Sequence, residues 1–493
     1  MAEFFHPDRL QRLDELRAAA TDPYPVRVPY PGRELAADVL AAADERQEEQ
    51  VVVCGRVLGR RGYGKLAFLD LHDQSGRIQV CLQKDRLDEA DFARLKQLNL
   101  GDLIAVRGEL GRTKVGESTV FGDAWTLLTK ALENPPADKT QGLQDGELRA
   151  RRRYVDLFVN EDVRDGFLRR SRIIQAMREV FLARAYVEVD TPVLHPIYGG
   201  ANARPFSTHH NALDMQLFLR IAPELYLKRL LVGGIERVFE FARVFRNEGL
   251  SPRHNPEFTM VEFYEAYTDV DGMMALTEEL VMAAAAGAGL PEVDGARVAT
   301  FRGEEFRLAA PFQRLRYADA FRTEVGCDPE DRAAVAAKLA EAGIDPPGEG
   351  EYGYWKAVNA LFEEHVEPTL RGPVFVHDYP AAICPLAKPV AEDPTWAGRF
   401  EFFLGGMELA NAFSELNDPQ LQLEKFEEQV ADIDPEAPNQ VDMDYVRALA
   451  YGLPPAGGCG IGIDRLVMVL LGADTIRDVL LFPHMRPEDP PTA

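Results

Sequence analysis

Two long strand-like runs, joined by a loop that contains glycine, serine and proline, constrain the fold of this 493-residue chain more than any other feature. The runs cover residues 238–246 and 257–265 and are rich in valine and phenylalanine. A loop of turn-forming residues between two such runs predicts an antiparallel hairpin. Because side chains two positions apart in a strand share a face, the hairpin also predicts which polar groups meet on one surface.

One surface of this predicted hairpin combines charged and aromatic groups. They are Arg246 and Glu248 on the first strand, and Phe258, Met260, Glu262 and Tyr264 on the second. On such a surface a guanidinium can bind phosphate, an aromatic ring can stack on a nucleotide base, and a carboxylate with a phenol can bind a cation. The alternative is a surface hairpin with alternating salt bridges. That alternative does not explain Glu262, which lies in an apolar run where an ionised carboxylate needs a partner.

A second strand-like run, residues 408–415, repeats this arrangement. Asn411, Phe413 and Glu415 alternate on one face, whereas Glu408 falls on the other face, and Glu401 lies seven residues earlier. Separated carboxylates suit Mg²⁺, which takes few protein oxygens and fills its remaining positions with water and phosphate. Paired glutamates are more often structural, so this pattern is weak alone.

A glycine-rich junction follows at residues 458–465, Gly-Cys-Gly-Ile-Gly-Ile-Asp-Arg. Its spacing is not that of a dinucleotide-binding fingerprint, and no βαβ unit follows it. One interpretation is a strand–helix junction in which the glycines permit close packing. The other is that they open floor space for a nucleotide, with Arg465 above it.

The N-terminal third has a different pattern of predicted secondary structure. After a helical extension (1–50), residues 51–134 contain three short strand patterns, a polar helix near 88–98 and two further strand patterns. This order fits a small closed barrel of the OB type, and a fragment of a larger sheet is the alternative. We expect a linker at 135–147, an α+β domain at 148–486 with a helical insertion at about 290–350, and a tail at 487–493.

Composition narrows the class of protein only partly. No apolar run is long enough to span a membrane, and five scattered cysteines without a CxxC pair argue against a disulfide framework or a zinc finger. We therefore expect a cytoplasmic protein without membrane partners. The net charge of −25 favours a metabolic enzyme over a nucleic-acid binder. Local basic clusters exist (Arg56, Arg60, Arg61 and Lys65; Arg149 and Arg151 to Arg153), so composition does not decide whether RNA is a partner.

Three segments in order resemble the signature motifs of class II aminoacyl-tRNA synthetases. YVEVDTP (186–192) resembles motif 1, FRNE with RHNPEFT (245–259) resembles motif 2, and GIGIDR (460–465) resembles motif 3. The N-terminal barrel and HNPEFT narrow the resemblance to the subclass that charges aspartate, asparagine or lysine. Residues 199–234 and 411–418 resemble the lysine enzymes, although this chain has Ala410 and Ala412 where those enzymes commonly have glycine.

The resemblance implies an OB-type anticodon-binding barrel and an α+β catalytic domain, an antiparallel sheet flanked by helices, in a homodimer built around motif 1. It implies that the enzyme joins lysine to ATP, forming lysyl-adenylate, and then to tRNA(Lys). Arg246 and Arg465 would be catalytic, and Mg²⁺ would be bound by Glu401 and Glu408. Lysine would contact Gly200, Glu224, Glu262, Tyr264, Asn411, Phe413 and Glu415. ATP would contact Arg246, Glu248, Arg253, His254, Asn255, Phe258, Glu401 and Arg465. The anticodon would contact Arg60, Phe68, Gln79 and Glu117.

Three other activities fit parts of the pattern. An aspartate or asparagine enzyme is the nearest, but an aspartate pocket needs cationic groups, whereas Glu224, Glu262 and Glu415 suit an ammonium. A ligase that lysylates another protein would resemble the catalytic domain alone. A non-catalytic RNA-binding relative would not need the full set of Arg246, Glu248, Glu401, Glu408 and Arg465.

Overall fold

The computed structural model describes residues 5–136, 143–345, 348, 350–431 and 440–487. The chain divides into two compact units, Met1–Arg164 and Asp165–Ala493. Residues 137–142 of the predicted linker and 488–493 of the predicted tail lie outside the described residues.

The first unit ends later than the predicted domain boundary at 147/148, because the helices after the linker contact the barrel. The guanidinium carbon of Arg56 lies 4.4 Å from the centre of the Phe158 ring. Arg164 donates a 2.8 Å hydrogen bond to the carbonyl of Asp73.

The first unit is built on a closed barrel. Its elements are α1 (Pro7–Ala18), β1 (Arg33–Glu34), α2 (Ala36–Ala41), β2 (Gln50–Tyr63), β3 (Leu66–His72), β4 (Arg77–Gln83), α3 (Glu89–Arg94), β5 (Leu103–Arg112), β6 (Ser118–Thr129), α4 (Gly146–Arg151) and α5 (Arg153–Val159). Among the described residues the strands pair in the order β1-β2-β3-β4-β6-β5, and a further β2–β5 pairing closes the ring. The predicted order of three strands, a helix and two strands is therefore confirmed.

Alternating apolar side chains fill the barrel. Val53, Leu69, Val80 and Val106 are almost fully buried in one cluster, and burying each such side chain contributes about 2 kcal/mol to folding. The cluster takes every second residue of the middle strands, as the alternation of a half-buried sheet requires.

The second unit has a large sheet with helices around it. Its helices are α6 (Glu161–Ala183, which starts within the first unit), α7 (Glu224–Val232), α8 (Val270–Gly287), α9 (Tyr317–Val325), α10 (Arg332–Ala342), α11 (Gly350–His365), α12 (Pro419–Ala431), α13 (Met443–Ala450), α14 (Ile463–Leu471) and α15 (Ile476–Val479). Its strands are β7 (Val187–Glu188), β8 (Leu194–His195), β9 (Ser207–His210), β10 (Met215–Leu219), β11 (Arg237–Phe245), β12 (Glu257–Ala266), β13 (Glu292–Val293), β14 (Ala296–Phe301), β15 (Glu304–Leu308), β16 (Gln313–Arg316), β17 (Val374–Pro380), β18 (Trp396–Leu404), β19 (Met407–Ser414) and β20 (Ala456–Gly462).

In the part of the chain that the structure describes, eight strands form the main sheet in the order β16-β17-β18-β19-β20-β12-β11-β7. Its six central strands are antiparallel, and the short edge strands β7 and β16 pair in parallel with their neighbours. One face packs on α6, α8 and α14 through a single apolar cluster that includes Phe181, Leu280 and Leu466. The predicted hairpin is β11 with β12, and its register pairs Phe245 with Glu257.

The prediction of a helical insertion at 290–350 is wrong for its first half. Residues 292–308 form the three-stranded sheet β13-β14-β15, and β16 is an edge strand of the main sheet. Arg302 and Gly303 both have positive φ and turn the chain between β14 and β15. The turn brings Phe301 and Phe306 into the main core, so this segment belongs to the body of the unit.

The segment that resembles motif 1 has less strand than expected. Only Val187 and Glu188 pair with β11, and the next short strand begins at Leu194. None of the described helices is long and apolar enough to cross a membrane.

Candidate active site

A cavity of about 430 Å³ opens on the second unit, and most of the predicted site residues line it. Those lining it are Gly200, Glu224, Arg246, Glu248, Arg253, His254, Asn255, Phe258, Glu262, Tyr264, Glu408, Asn411, Phe413 and Arg465. Glu401 and Glu415 belong to the predicted set but lie behind the cavity wall. Both are buried.

The floor of the cavity consists of cross-strand rows on one face of the sheet. In one row Glu262 pairs with Gly460, Gly460 with Asn411, and Asn411 with Glu401. Because paired residues in antiparallel strands project to the same face, these groups from four strands meet at one surface. At the glycine position a Cβ atom would lie 2.9 Å from Cε of Met260 and 3.4 Å from Cγ of Glu262, so these side chains pack over Gly460.

The next row is Tyr264, Gly458, Phe413 and Arg399. A Cβ atom on Gly458 would lie 2.2 Å from a ring carbon of Tyr264 and 2.2 Å from Oε1 of Glu415. No such contact is possible, so glycine is required at this position. Of the two interpretations of the glycine-rich junction, the placement of Gly458 supports close packing, because neighbouring side chains fill the place of the absent one.

One end of the cavity is acidic. The Tyr264 hydroxyl donates a 3.0 Å hydrogen bond to Oε2 of Glu262. Burial, together with the charge of Glu224, raises the pKa of Glu262 well above its ordinary value. Gly200 lines the same region with φ +85°, and a Cβ there would lie 3.6 Å from Oε2 of Glu224.

Sequence reasoning missed Lys228 at this end. Its Nζ donates to Oε1 of Glu224 at 2.6 Å and forms an ion pair with Glu415. Burial alone would lower the pKa of Lys228, but the charges of Glu224 and Glu415 raise it well above its ordinary value. The signal was a lysine four residues after Glu224 on one helix, since residues at that spacing are neighbours.

Glu415 is a buried carboxyl beside Lys228. Burial raises its pKa to about 8, an effect that the ammonium of Lys228 opposes. Its Oε1 has no hydrogen-bond partner among the described residues.

The other end of the cavity is basic. Arg465 donates to Nε2 of His254 at 2.8 Å, so a neutral His254 carries its proton on Nδ1, which lies 2.7 Å from Oγ of Ser251. Burial and the charges of Arg465, Arg246 and Arg253 lower the pKa of His254. Along β12 the six residue steps from Phe258 to Tyr264 separate the two ends by about 20 Å.

Arg246 and Glu248 do not lie on a strand as expected, because β11 ends at Phe245. The backbone N–H of Arg246 still bonds to the Pro256 carbonyl at 2.8 Å, which continues the hairpin by one pair. Its guanidinium carbon lies 5.2 Å from the centre of the Phe258 ring. The side-chain amide of Asn255 donates to the Glu257 carbonyl at 2.6 Å, which fixes the turn into β12.

The prediction that Glu408 faces away from Asn411 is wrong, because β19 contains a bulge. Phe402 pairs with Ala410 but Phe403 pairs with Glu408, so Leu409 is an extra residue. Beyond a bulge of this kind, each side chain of the strand points to the opposite face from the one that simple alternation predicts. Glu408 therefore lines the cavity, and Arg465 Nη1 lies 3.7 Å from its Oε2.

Two residues that were not predicted from the sequence contact Glu401. Its Oε2 accepts a 2.8 Å hydrogen bond from the Tyr379 hydroxyl, and Arg399 forms an ion pair with its other oxygen. Burial raises the pKa of Glu401 to about 7 although Arg399 lowers it, and Glu408 adds to the rise. Arg399 stands two residues before Glu401, which was the sequence signal for a shared face.

Further carboxylates surround this pair. Burial raises the pKa of Glu367 to about 8, and the charges of Glu401, Glu363 and Glu408 contribute. This excess negative charge suits a divalent cation. Among the described residues no group of three or more histidine, cysteine or acidic side chains has metal-binding geometry, so phosphate and water would complete the coordination of a Mg²⁺ ion.

The two alanines that depart from the resemblance belong to the core. Ala410 pairs with Ile461 and Ala412 with Cys459, and all four belong to the apolar cluster under the sheet. Their methyl groups therefore pack in the core, and Ala410 also borders the cavity.

Three of the four predicted anticodon residues lie together on the barrel. Phe68 and Gln79 alternate with core residues on β3 and β4. Gln79 donates a 2.8 Å hydrogen bond to Oε2 of Glu117. Arg60 instead pairs with the core residue Leu69 and donates to the Leu98 carbonyl at 2.6 Å.

Arg61, rather than Arg60, shares the face of Phe68. The reason is a bulge at residue 58, where Val57 pairs with Leu71 but Gly59 pairs with Asp70. The extra residue reverses the alternation for the rest of β2.

Comparisons with known proteins cover both units. Residues 145–486 match the family of class II tRNA synthetases (D, K and N), and residues 51–128 match the OB-fold nucleic acid binding domain. The lysine–tRNA ligase of Carboxydothermus hydrogenoformans is 46% identical over 487 residues, 98% of each chain. That of Moorella thermoacetica is 46% identical over 98% of this chain and 97% of its own. That of Laribacter hongkongensis is 46% identical over 98% of this chain and 96% of its own.

Proposed function

The chain belongs to the lysine–tRNA ligases of class II, and we propose that its cavity binds lysine at the acidic end and ATP at the basic end. The enzyme attaches L-lysine to tRNA(Lys) in two ATP-dependent steps through lysyl-adenylate. The observation that carries the assignment of the ends is their opposite charge. A diammonium substrate and a triphosphate have charges that match them.

In the first step an oxygen of the lysine carboxylate attacks the α-phosphorus of ATP, and pyrophosphate leaves. In the second step the 3′-terminal ribose hydroxyl of the tRNA attacks the lysyl carbonyl carbon, and AMP leaves. The substrates supply both nucleophiles, so the protein contributes orientation and stabilisation of charge.

Arg246 lies between the two ends and bridges the lysine carboxylate and the α-phosphate. Phe258 stacks on adenine, while Glu248 and the backbone near Asn255 contact its edge. The cation–π contact between Arg246 and Phe258 supports this pairing, since one group orders the other.

The phosphates are contacted by Arg253, His254 and Arg465. Glu401 and Glu408 would hold Mg²⁺, which would neutralise phosphate charge. The repulsion among the buried carboxylates around Glu401 supports a cation at this place.

Lysine is bound through both of its ammonium groups. Gly200 and Glu224 receive the α-ammonium, and Tyr264 and Glu415 receive the ε-ammonium. Asn411 contacts the carboxylate, Phe413 packs on the aliphatic stem, and Glu262 completes the acidic wall. The side-chain amide N–H of Asn411 would donate to the lysine carboxylate, and its buried Oδ1, which has no partner among the described residues, is available to accept from a substrate N–H.

The barrel contacts the anticodon through Phe68, Gln79 and Glu117, whereas Arg60 lies away from the face of Phe68. An aromatic ring with neighbouring hydrogen-bonding groups is how such barrels hold unpaired bases. Since tRNA is the second substrate, the enzyme acts in the cytoplasm.

A homodimer forms through the segment that resembles motif 1. Val187, Val193 and Leu194 expose 48%, 41% and 46% of their surfaces, and apolar groups clustered in one segment are typical of an interface. Val193→Asp should convert a dimer to a monomer in light scattering. A parent protein that is monomeric at micromolar concentration would contradict this part of the proposal.

The decisive experiment is ATP–pyrophosphate exchange with lysine, aspartate and asparagine as separate substrates. Exchange should depend on lysine, because the acidic end has three carboxylates. Exchange with aspartate or asparagine in place of lysine would overturn the assignment.

A further inference from the structure

Lys228 is a buried cation that none of the proposed substrate contacts uses. Its side chain is 0% exposed, and its ammonium lies between the carboxylates of Glu224 and Glu415. Helix α7 carries Lys228 one turn after Glu224, whereas Glu415 follows the end of β19. One ammonium therefore links two carboxylates that come from distant parts of the sequence.

Each of these carboxylates gives one oxygen to Lys228 and has its other oxygen close to a glycine that lines the cavity. Oε1 of Glu224 accepts from Lys228 at 2.6 Å, while Oε2 lies 3.6 Å from the position of a Cβ on Gly200. Oε2 of Glu415 is the ion-pair partner, while Oε1 lies 2.2 Å from the position of a Cβ on Gly458. Gly200 and Gly458 both line the cavity. Lys228 thus holds both carboxylates from behind.

The charges of the acidic end match a substrate with two ammonium groups. Glu224, Glu262 and Glu415 carry three negative charges when ionised, and Lys228 reduces the total to two. The α- and ε-ammonium groups of lysine supply two positive charges. Without Lys228 one buried carboxylate would lack a counter-charge, at a considerable energetic cost.

We propose that Lys228 is a positioning residue that determines specificity: it fixes the spacing of Glu224 and Glu415 and thereby sets the length of the diamino acid that the cavity accepts. The inference rests on the proposed function, in which these two carboxylates receive the α- and ε-ammonium groups. Ornithine has one methylene fewer than lysine. It cannot reach both carboxylates while Lys228 holds them at the lysine spacing.

A purely structural role for Lys228 makes a different prediction. Neutralising two buried glutamates would stabilise the fold without affecting which amino acid is used. The barrel contains a matched ion pair, Lys130 with Asp102, in which both side chains are 0% exposed and Nζ lies 2.8 Å from Oδ2. Loss of that pair should affect stability alone.

The experiment compares Lys228→Met and Lys130→Met in the full-length protein. KM and kcat for ATP–pyrophosphate exchange are measured with L-lysine and with L-ornithine, and the melting temperature is measured on the same samples. Lys228→Met should reduce the preference for lysine over ornithine at least about tenfold, mainly through the KM for lysine, which is the discrimination that one methylene commonly gives. Lys130→Met should lower the melting temperature and keep the parent's preference.

A preference in folded Lys228→Met within about twofold of the parent's would overturn the inference. Lys228→Arg gives a second test that keeps the charge, and it decides the matter if the methionine variant does not fold. The larger guanidinium should push both carboxylates into the cavity and shift the preference toward ornithine, and an unchanged preference would again overturn the inference. A parent protein without lysine-dependent exchange would overturn the proposed function instead.

Discussion

Gly458 faces Tyr264 across strands β20 and β12, and the tyrosine ring lies where a side chain on Gly458 would begin. Glu415, which follows the end of β19, approaches the same point from the other side of β20. The missing side chain of Gly458 thus lets a phenol and a carboxylate converge on one part of the cavity.

Gly458→Ala should therefore disrupt the acidic end of the cavity. The new methyl group would lie 2.2 Å from both neighbours, so one of them must move out of position. We expect the KM for lysine to rise at least about tenfold, because the displaced group is a polar partner of the substrate. The KM for ATP in the exchange assay should change little. Gly372→Ala is the control, since nothing lies within 4 Å of its Cβ position, and equal effects of the two changes would contradict the prediction.

The KM for lysine should fall as the pH rises from 6.5 to 8.5. Burial raises the pKa of Glu415 to about 8. Below that pH the Glu415 carboxyl is therefore largely protonated when no lysine is bound. The ammonium of lysine prefers the ionised carboxylate, so binding releases a proton and strengthens by up to about tenfold per pH unit. Isothermal titration in two buffers of different ionisation enthalpy measures this release. The Glu415→Gln variant should bind lysine more weakly by about 2–5 kcal/mol, and its affinity for lysine should no longer depend on pH. A pH dependence that persists in this variant would show that another group titrates.

Arg246→Ala should lower kcat for ATP–pyrophosphate exchange more than it raises the KM for lysine. The charge on the α-phosphate grows in the transition state, so its partner stabilises that state more than the bound substrate. Arg246→Lys should not restore the rate, because an ammonium cannot replace the two-pronged guanidinium. Pre-steady-state formation of lysyl-adenylate isolates this step. A near-normal rate in either variant would rule out the bridging role.

Phe68→Ala should leave lysine-dependent exchange unchanged and raise the KM for tRNA. A stacked base contributes about 1–3 kcal/mol to binding, which is the expected loss in a tRNA titration. Phe92→Ala is the matched control, because Phe92 packs against the barrel core and has no proposed contact with RNA. The control should lower the melting temperature and keep the affinity for tRNA. A Phe68 variant that behaves in the same way would remove Phe68 from the anticodon site.

The larger features of the fold followed from local patterns in the sequence. The hairpin of β11 and β12 was predictable because valine and phenylalanine alternate with polar groups on both sides of a turn-forming loop. The barrel was predictable because its strands are short, regular and separated by turns. The shared face of Phe258, Met260, Glu262 and Tyr264 then followed from alternation alone, and all four side chains line the cavity.

Other features could not be predicted from the alternation of side chains along a strand, because they depend on irregular strand pairing or on contacts between distant residues. The bulge at Leu409 moves Glu408 to the cavity, and the bulge at residue 58 moves Arg60 away from Phe68. Neither bulge can be recognised in the sequence, because the position of a bulge depends on how the strand pairs with its partner. Lys228 was missed because its second partner, Glu415, is almost two hundred positions away. The strands at 292–308 were missed because alanine, proline and glycine in their neighbourhood masked a two-residue turn.

The bulge at Leu409 also has a consequence for how this chain is compared with its relatives. Deleting one residue there would leave every other position of β19 chemically intact, yet Glu408 would project into the apolar core. The length of the strand between Met407 and Asn411 thus carries information that residue identity does not. An alignment that opens a gap in this interval would match the carboxylate that we propose to bind Mg²⁺ to a core position, even if every remaining residue agreed.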